Sequence, residues 1–370
     1  MMYEEKQFSC YLYDQMEDEQ EALHPDNPRN FMDSLSPLIS AMVSRDAGTI
    51  LYEGLADQFG GDYIDRMIRC GVLRREGQHV YLDTPVFLES DASVLADHFA
   101  SAAGRIADLI VSCKQPLYEL AGKINNGFSP ERNLYHLLCG WSMDGAMIDR
   151  LVQEDIISEG RPHPTGLDYL LILYEKSPAL DVFSDRLLCS FNRCVQEDCA
   201  LESFGDADGN RLDCFRYFRL KEQDKLTPAF DSIHEAMKGL SSADLTQAAR
   251  LLASGQEADA RAVRALEAFG YVRNGKPCVP VFRPEHDVIF YAIEELLEKI
   301  LLKPIADVFE GIRDLRITPS LHRVPLKETA NECWHILFGS VNEALVNKGF
   351  VAPPEARAGE GRYLRCIALS

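Results

Sequence analysis

No window of this 370-residue chain approaches the roughly 18 unbroken apolar residues that a membrane-crossing helix requires. The first residues carry no basic start followed by an apolar run. Glu4, Glu5, Glu17, Asp18, Glu19 and Glu21 make this end acidic instead, so no secretory leader is expected. Regular cysteine spacing is missing too. Eleven scattered cysteines, an odd number, predict reduced thiols in a cytoplasm and not a disulfide scaffold. Cys189, Cys194, Cys199 and Cys214 recur too far apart for the usual zinc spacings.

Motifs of chemistry are equally scarce. There is no H-E-x-x-H, no G-x-S-x-G and no paired glycine-rich cofactor loop. Gly270–Pro277 almost spells a phosphate loop, but Pro277 stands where a magnesium-holding hydroxyl belongs, and the strand–loop–helix order is reversed. Asp206–Asn210 opens like a calcium loop, yet Arg211 and Tyr217 replace its required glycine and glutamate, so a hairpin turn is the better reading. The sequence therefore nominates no catalytic residue, no metal ligand and no cofactor.

What is present is an ordinary globular composition with a strong acidic bias. Hydrophobic residues make up 46% and charged residues 26%, which excludes a disordered chain. The net charge is −20. Residues 1–190 hold 15 basic and 31 acidic side chains; residues 191–370 hold 23 and 27. Such a surface repels phosphate backbones and anionic lipid at long range, though a local patch can oppose the mean.

Self-similarity organises the rest. Gly71-Val72-Leu73-Arg74 recurs as Gly270-Tyr271-Val272-Arg273, and Pro85-Val86-Phe87 as Pro280-Val281-Phe282. Ile106-Ala107-Asp108 recurs as Ile305-Ala306-Asp307, and Tyr135-His136 through Gly140 as Trp334-His335 through Gly339. Leu151-Val152 matches Leu345-Val346, and Tyr169-Leu170 matches Tyr363-Leu364. Six matches in one order, with length changes confined to loops, predict a tandem duplication of a unit of about 190 residues. The expected units are 1–190 and 191–370.

Each copy reads helix, helix, short strand, turn, short strand, long helix. In the first, Ile50–Phe59 has helical spacing, Asp62 is the expected N-cap of a second helix, and that helix stops at Gly71. Val72-Leu73 and Val80–Leu82 then flank a turn at Arg75–Gln78. The second copy runs Ala258–Phe269, Gly270, Tyr271-Val272, the Asn274-Gly275 turn and Val279–Phe282. A further hairpin is expected at 199–220, around the Gly205–Asn210 turn, with Phe8–Tyr13 matching its second strand at Cys214–Phe218.

A helix with this apolar spacing, closed by glycine and followed by a tight hairpin, resembles the winged helix-turn-helix modules of bacterial transcription regulators. The resemblance covers Ile50–Phe87 and Leu245–Phe282. It implies winged-helix-like regions at 31–90 and 230–285, with weaker matches at 131–175 and 328–370. Linking helices are expected at 92–113 and 287–311. The fold class expected is mainly α (α+β), with small β-hairpin wings. In that family the helix before the glycine reads DNA and the hairpin is the wing. The positions so implicated are Arg66, Arg69, Arg74 and Arg75, and Arg261, Arg264, Arg273 and Lys276, whose guanidinium forks suit phosphate oxygens or guanine edges. Asp62, Asp65, Glu257 and Asp259 share the same helices and oppose that role. The aromatic–His pairs Tyr135-His136 and Trp334-His335 read as hydrogen-bonded packing.

Two functions follow as expectations. The first is a non-catalytic regulator contacting double-stranded DNA through a built-in pseudo-dimer, either monomeric or as a homodimer. The second is an acidic scaffold that grips a partner protein, since the chain also resembles the tandem winged-helix subunits of bacterial chromosome-condensation complexes. An enzyme with residues scattered through the sequence is a third. No membrane association is expected.

Overall fold

The computed structural model describes residues 6–14, 24–178, 180, 188–196, 198–206, 212–222, 224, 226–354 and 363–370. Residues 207–210 of the turn expected at Gly205–Asn210 and the acidic residues Glu4, Glu5 and Glu17–Glu21 lie outside them. Helices predominate and the sheets are small, so the architecture is mixed α+β. No helix among the described residues is long and apolar enough to cross a membrane.

The chain divides into two compact units, neither of them continuous in sequence. One comprises Met1–Ala103, Ile148–Ser184 and Leu302–Leu337; the other Gly104–Met147, Asp185–Leu301 and Phe338–Ser370. The compact units therefore differ from the sequence halves 1–190 and 191–370, because each takes helical segments from both.

In the first unit the strands are β1 (Phe8–Asp14), β2 (Leu73–Glu76), β3 (His79–Leu82), β4 (Val86–Phe87), β5 (Arg161–Pro162) and β6 (Asp168–Glu175). β6 is central. It pairs antiparallel with β1 and β5, and parallel with β4. Tyr169 through Tyr174 are all buried, which is why this strand is a continuous apolar run and does not alternate. The helices Ser36–Val43, Tyr52–Phe59 and Gly61–Arg69 pack Leu38, Leu55, Ile64 and Met67 into one core with Val72, Val80 and Leu173. Fully burying such side chains contributes roughly 2 kcal/mol each. The β2–β3 hairpin closes on Gly77, with φ of +64°, and Leu51 bridges His79 beside it.

The second unit holds β7 (Leu188–Gln196), β8 (Cys199–Asp206), β9 (Val272–Arg273), β10 (Lys276–Pro277), β11 (Val281–Phe282) and β12 (Tyr363–Leu369). Its sheet runs β11-β12-β8-β7, with β11 parallel to β12 and the rest antiparallel. The helices Asp231–Ala236, Ser242–Ala253 and Ala260–Phe269 precede the β9–β10 hairpin. Asn274 and Gly275 have φ of 53° and 71°, the two positive values a two-residue type I′ turn needs. A capping box of Ser241 and Asp244 starts the Ser242–Ala253 helix, and Asp259 caps the Ala260–Phe269 helix.

Several expectations are corrected. The hairpin expected at 199–220 is instead β7–β8, and Cys214–Glu222 is a helix. Asp213 Oδ1 accepts from the Arg216 amide at 2.6 Å, and Cys214 and Tyr217, three apart, are buried together. The partner of β1 in pairing order is thus β8, which lies against β12 as β1 lies against β6. Gly60, with φ of 93°, takes the N-cap place expected for Asp62. The stretches expected as further modules at 131–175 and 328–370 differ as well. Leu326–Asn347 is one uninterrupted helix, and Pro130–Gln153 is helical throughout, with a π-helical middle at His136–Ala146. Their strands β6 and β12 join the larger sheets, and β6 also makes a short local hairpin with β5. The linking helix expected at 287–311 is present as Asp287–Glu310, with Leu297, Leu301 and Ile305 buried.

Gly71 and Gly270 end the helices before the two hairpins in the left-handed region, at φ of 65° and 83°. A Cβ at Gly71 would also fall 2.3 Å from the His163 ring, so no side chain fits there. Gly71→Ala is expected to destabilise the protein by about 2 kcal/mol or more. Gly77→Ala, with the same backbone strain and open space around it, should cost less. Denaturant unfolding of the two variants checks the order.

Candidate functional site

The eight basic positions divide by surroundings. On the Gly61–Arg69 helix, Ile64 and Met67 face the core, which turns Arg66 and Arg69 towards the loop at Asp26. Arg66 Nε donates to Asp26 Oδ1 at 2.8 Å, and its guanidinium lies 5.0 Å from the Phe31 ring centroid. Arg69 is the looser of the two, 3.8 Å from Asp26 Oδ2. Arg74 on β2 donates to Asp83 at 3.1 Å and to the His322 carbonyl at 3.1 Å, and also pairs with Glu76. Arg75 lies 3.9 Å over the Tyr52 ring and donates to the Gly77 carbonyl at 2.9 Å. These four guanidinia are occupied within the unit.

The second unit differs. Arg261 donates to the Lys238 carbonyl, but Arg264, Arg273 and Lys276 are exposed and have no ion-pair partner among the described residues. Arg264 and Lys276 line one cleft of about 940 Å3 together with Arg283, Asn126, Gln256 and Glu257. Arg283 is anchored by donating to the Ala253 carbonyl at 2.6 Å. The cleft thus carries three cations against one carboxylate in a protein of net charge −20. Arg273 belongs elsewhere: it lines a separate cavity of about 350 Å3 with Arg132 and Arg365. Sequence reasoning missed Asn126, Arg283, Arg132 and Arg365. Only chain packing brings them beside the hairpin, and no local pattern marks them.

The first unit holds an ionic cluster centred on Asp83. Asp83 Oδ1 and Oδ2 accept from Arg74 and from Arg161, the latter at 2.8 Å, and Arg161 Nη1 reaches Glu328 Oε1 at 3.3 Å. His322 Nδ1 accepts from the Leu82 amide at 3.2 Å, so its ring is neutral, and burial beside Arg74 pushes it down to about 4. Burial raises the Glu328 carboxyl to about 7 against the pull of Arg161, and its Oε2 is buried without a hydrogen-bond partner. Perturbed groups often mark active sites, but here every polar contact joins one chain segment to another. The cluster reads as structural.

The two histidines of the aromatic pairs also part. His335 Nδ1 bonds the Asn331 carbonyl at 3.0 Å, as expected of a packing residue. His136 is buried with neither ring nitrogen hydrogen-bonded, packs on Phe282, and is held well below the ordinary imidazole range by desolvation. It is a neutral packing ring without the expected bond. No group of three or more metal-ligating side chains is found among the described residues.

Against this geometry the comparisons add nothing: no protein-family model, no curated protein and no solved structure matches the chain.

Glu328 generates a pH test. Its folded pKa lies above the ordinary carboxylate value, so the native state keeps a proton that the unfolded state has lost. Stability is therefore lost as pH rises from the carboxylate range to about 7. His322 acts on the acid side and is common to both proteins compared. Glu328→Gln should match the wild type near pH 5 and exceed it at pH 8, by up to about 3 kcal/mol. Urea unfolding at both pH values would show this; a difference independent of pH would refute the assignment.

Proposed function

We propose that this protein is a non-catalytic, DNA-associated regulatory protein, built by duplication of a winged-helix-containing unit, in which the second copy makes the DNA contact. The observation that carries the reading is the pair Arg264 and Lys276. One comes from the Ala260–Phe269 helix and the other from the β9–β10 hairpin, both are exposed and unpaired among the described residues, and both line the cleft that also holds Arg283. A reading helix and a wing that share one basic surface are what phosphate contact needs.

Further observations support the module and the duplication. Three helices lead to a hairpin in each unit, and in the first Leu51 pairs with His79 as a third short strand would beside a wing. β4 pairs parallel with β6, and β11 with β12, in matching register. In the first copy Arg66, Arg69 and Arg74 are spent on Asp26, Asp83 and Glu76. That copy is the scaffold of an asymmetric pair.

A second reading, an acidic scaffold for a partner protein, is favoured by one feature. Val288 and Tyr291, three apart on the Asp287–Glu310 helix, are each 69% exposed. An apolar pair in the open suits a protein contact better than a phosphate one.

Binding to heterogeneous duplex DNA across a salt series separates the two. The regulator reading expects affinity that falls steeply with salt, and a loss of about tenfold in the Arg264→Ala, Lys276→Ala double variant with a slope shallower by about two ion equivalents. Arg66→Ala should leave DNA affinity unchanged. The absence of binding at low salt would overturn the reading and leave the protein partner.

A further inference from the structure

Two of the cysteines that the sequence spaces too widely for zinc come together in the second unit. Cys194 lies on β7, the end strand of the β11-β12-β8-β7 sheet, and Cys214 opens the Cys214–Glu222 helix. Both side chains belong to the core that also holds Leu201, Tyr217 and Phe269. Alternation along β7 brings this about: Arg193 and Val195 are exposed, Val195 at 49%, and Cys194 between them turns inward. Asp213 fixes the helix start, its carboxylate accepting from the Arg216 amide at 2.6 Å, and so sets where Cys214 stands. The Cys194 and Cys214 thiols are hydrogen-bonded to each other, although they are far apart in sequence.

In that bond Cys214 is the donor and Cys194 the acceptor. The proton held by Cys214 lowers the Cys194 thiol from its ordinary value, against the opposing effects of burial and Asp213. Cys214 is raised well above that value by the same bond and by burial. The two share one proton, and the negative charge rests on Cys194. Cys199, on the neighbouring strand β8, is the contrast: burial and Asp198 push it up to about 12. The thiolate is the nucleophile in sulfur chemistry, and redox-sensitive pairs place a thiol of lowered pKa beside a resolving one. Cys194 keeps 8% of its surface open to solvent and Cys214 keeps 1%. A small oxidant therefore meets Cys194 first. Two sulfurs fall short of the ligand set that a structural zinc needs.

We propose that Cys194 and Cys214 form a reversible disulfide, with Cys194 the thiol that a peroxide oxidises and Cys214 the thiol that resolves it. The Cys194 thiolate attacks one oxygen of hydrogen peroxide and the O–O bond breaks. Cys194 becomes a sulfenic acid, and the departing hydroxide takes up the thiol proton and leaves as water. The Cys214 sulfur then attacks the sulfenic sulfur. The S–S bond forms, and the S–OH oxygen leaves as a second water with the Cys214 proton. Each sulfur is oxidised by one electron and the peroxide is reduced by two. A dithiol reductant reverses the bond by exchange. The disulfide ties β7 to the helix whose Tyr217 packs on Phe269, with ring centroids 5.8 Å apart. The pair lies outside the Arg264–Lys276 cleft, so it stands or falls separately from the DNA reading.

Treating the native full chain with a small excess of hydrogen peroxide, then alkylating it and mapping its peptides by mass spectrometry, tests the proposal. A Cys194–Cys214 linked peptide is expected within one chain, and dithiothreitol should return both thiols. Cys194 should lose its free thiol about tenfold faster than Cys199 or more. In the Cys214→Ser variant the sulfenic acid has no resolving partner, so dimedone should trap it on Cys194 several times more than in the wild type. The wild-type map decides the pairing by itself, which keeps the test intact if Cys214→Ser does not fold. No Cys194–Cys214 link, a Cys194–Cys199 link in its place, a link between two chains, or oxidation of Cys194 no faster than that of Cys199 would overturn the proposal.

Discussion

Backbone pairing along β6 and β12 is the interaction on which each unit depends. Both are central strands, and both meet partners remote in sequence: β6 lies between β1 and β4, and β12 between β8 and β11. An apolar strand such as Tyr169–Tyr174 has nowhere to go until those partners arrive, because both its faces need cover. Loop-closure entropy must then be offset by side-chain burial, which favours late, cooperative formation of the sheets. The two-residue strands β4 and β11 follow directly after the hairpins. Each hairpin is thereby positioned from its own sheet.

In the first unit that positioning is reinforced by charge. Asp83, one residue past β3, accepts from arginines on two other segments, and Arg161 also reaches Glu328. Removing the carboxylate would leave Arg74 with Glu76 alone and Arg161 with Glu328 alone, and breaking such a half-buried pair costs more than the pair itself contributes. The expense explains why this hairpin has no cations to spare. In the second unit Arg264, Arg273 and Lys276 have no ion-pair partner among the described residues, and they are exposed along two clefts.

Two cavities beside the second hairpin separate the basic positions that the sequence placed on one surface. Arg264 and Lys276 share the larger cleft, while Arg273 borders the smaller one with Arg132 and Arg365. Arg273 and Lys276 are directly paired residues on β9 and β10, only a two-residue turn apart.

Much of the local structure was legible in the residues. Helical apolar spacing located the helices before Gly71 and Gly270, and Asn274-Gly275 announced its turn, because these depend on backbone propensities a few residues apart. The Cys214–Glu222 helix was misread as a strand. Its aromatic and β-prone residues suit either state, and the burial of Cys214 and Tyr217 that decides between them is tertiary. The uninterrupted Leu326–Asn347 helix was likewise invisible, since a short break and none look alike in an apolar pattern. The sequence by itself determined the local alphabet of helices, hairpin turns and basic positions. Only the tertiary structure decided which arginines are spent on Asp26 and Asp83, because an ion pair depends on distances between segments that lie far apart along the chain.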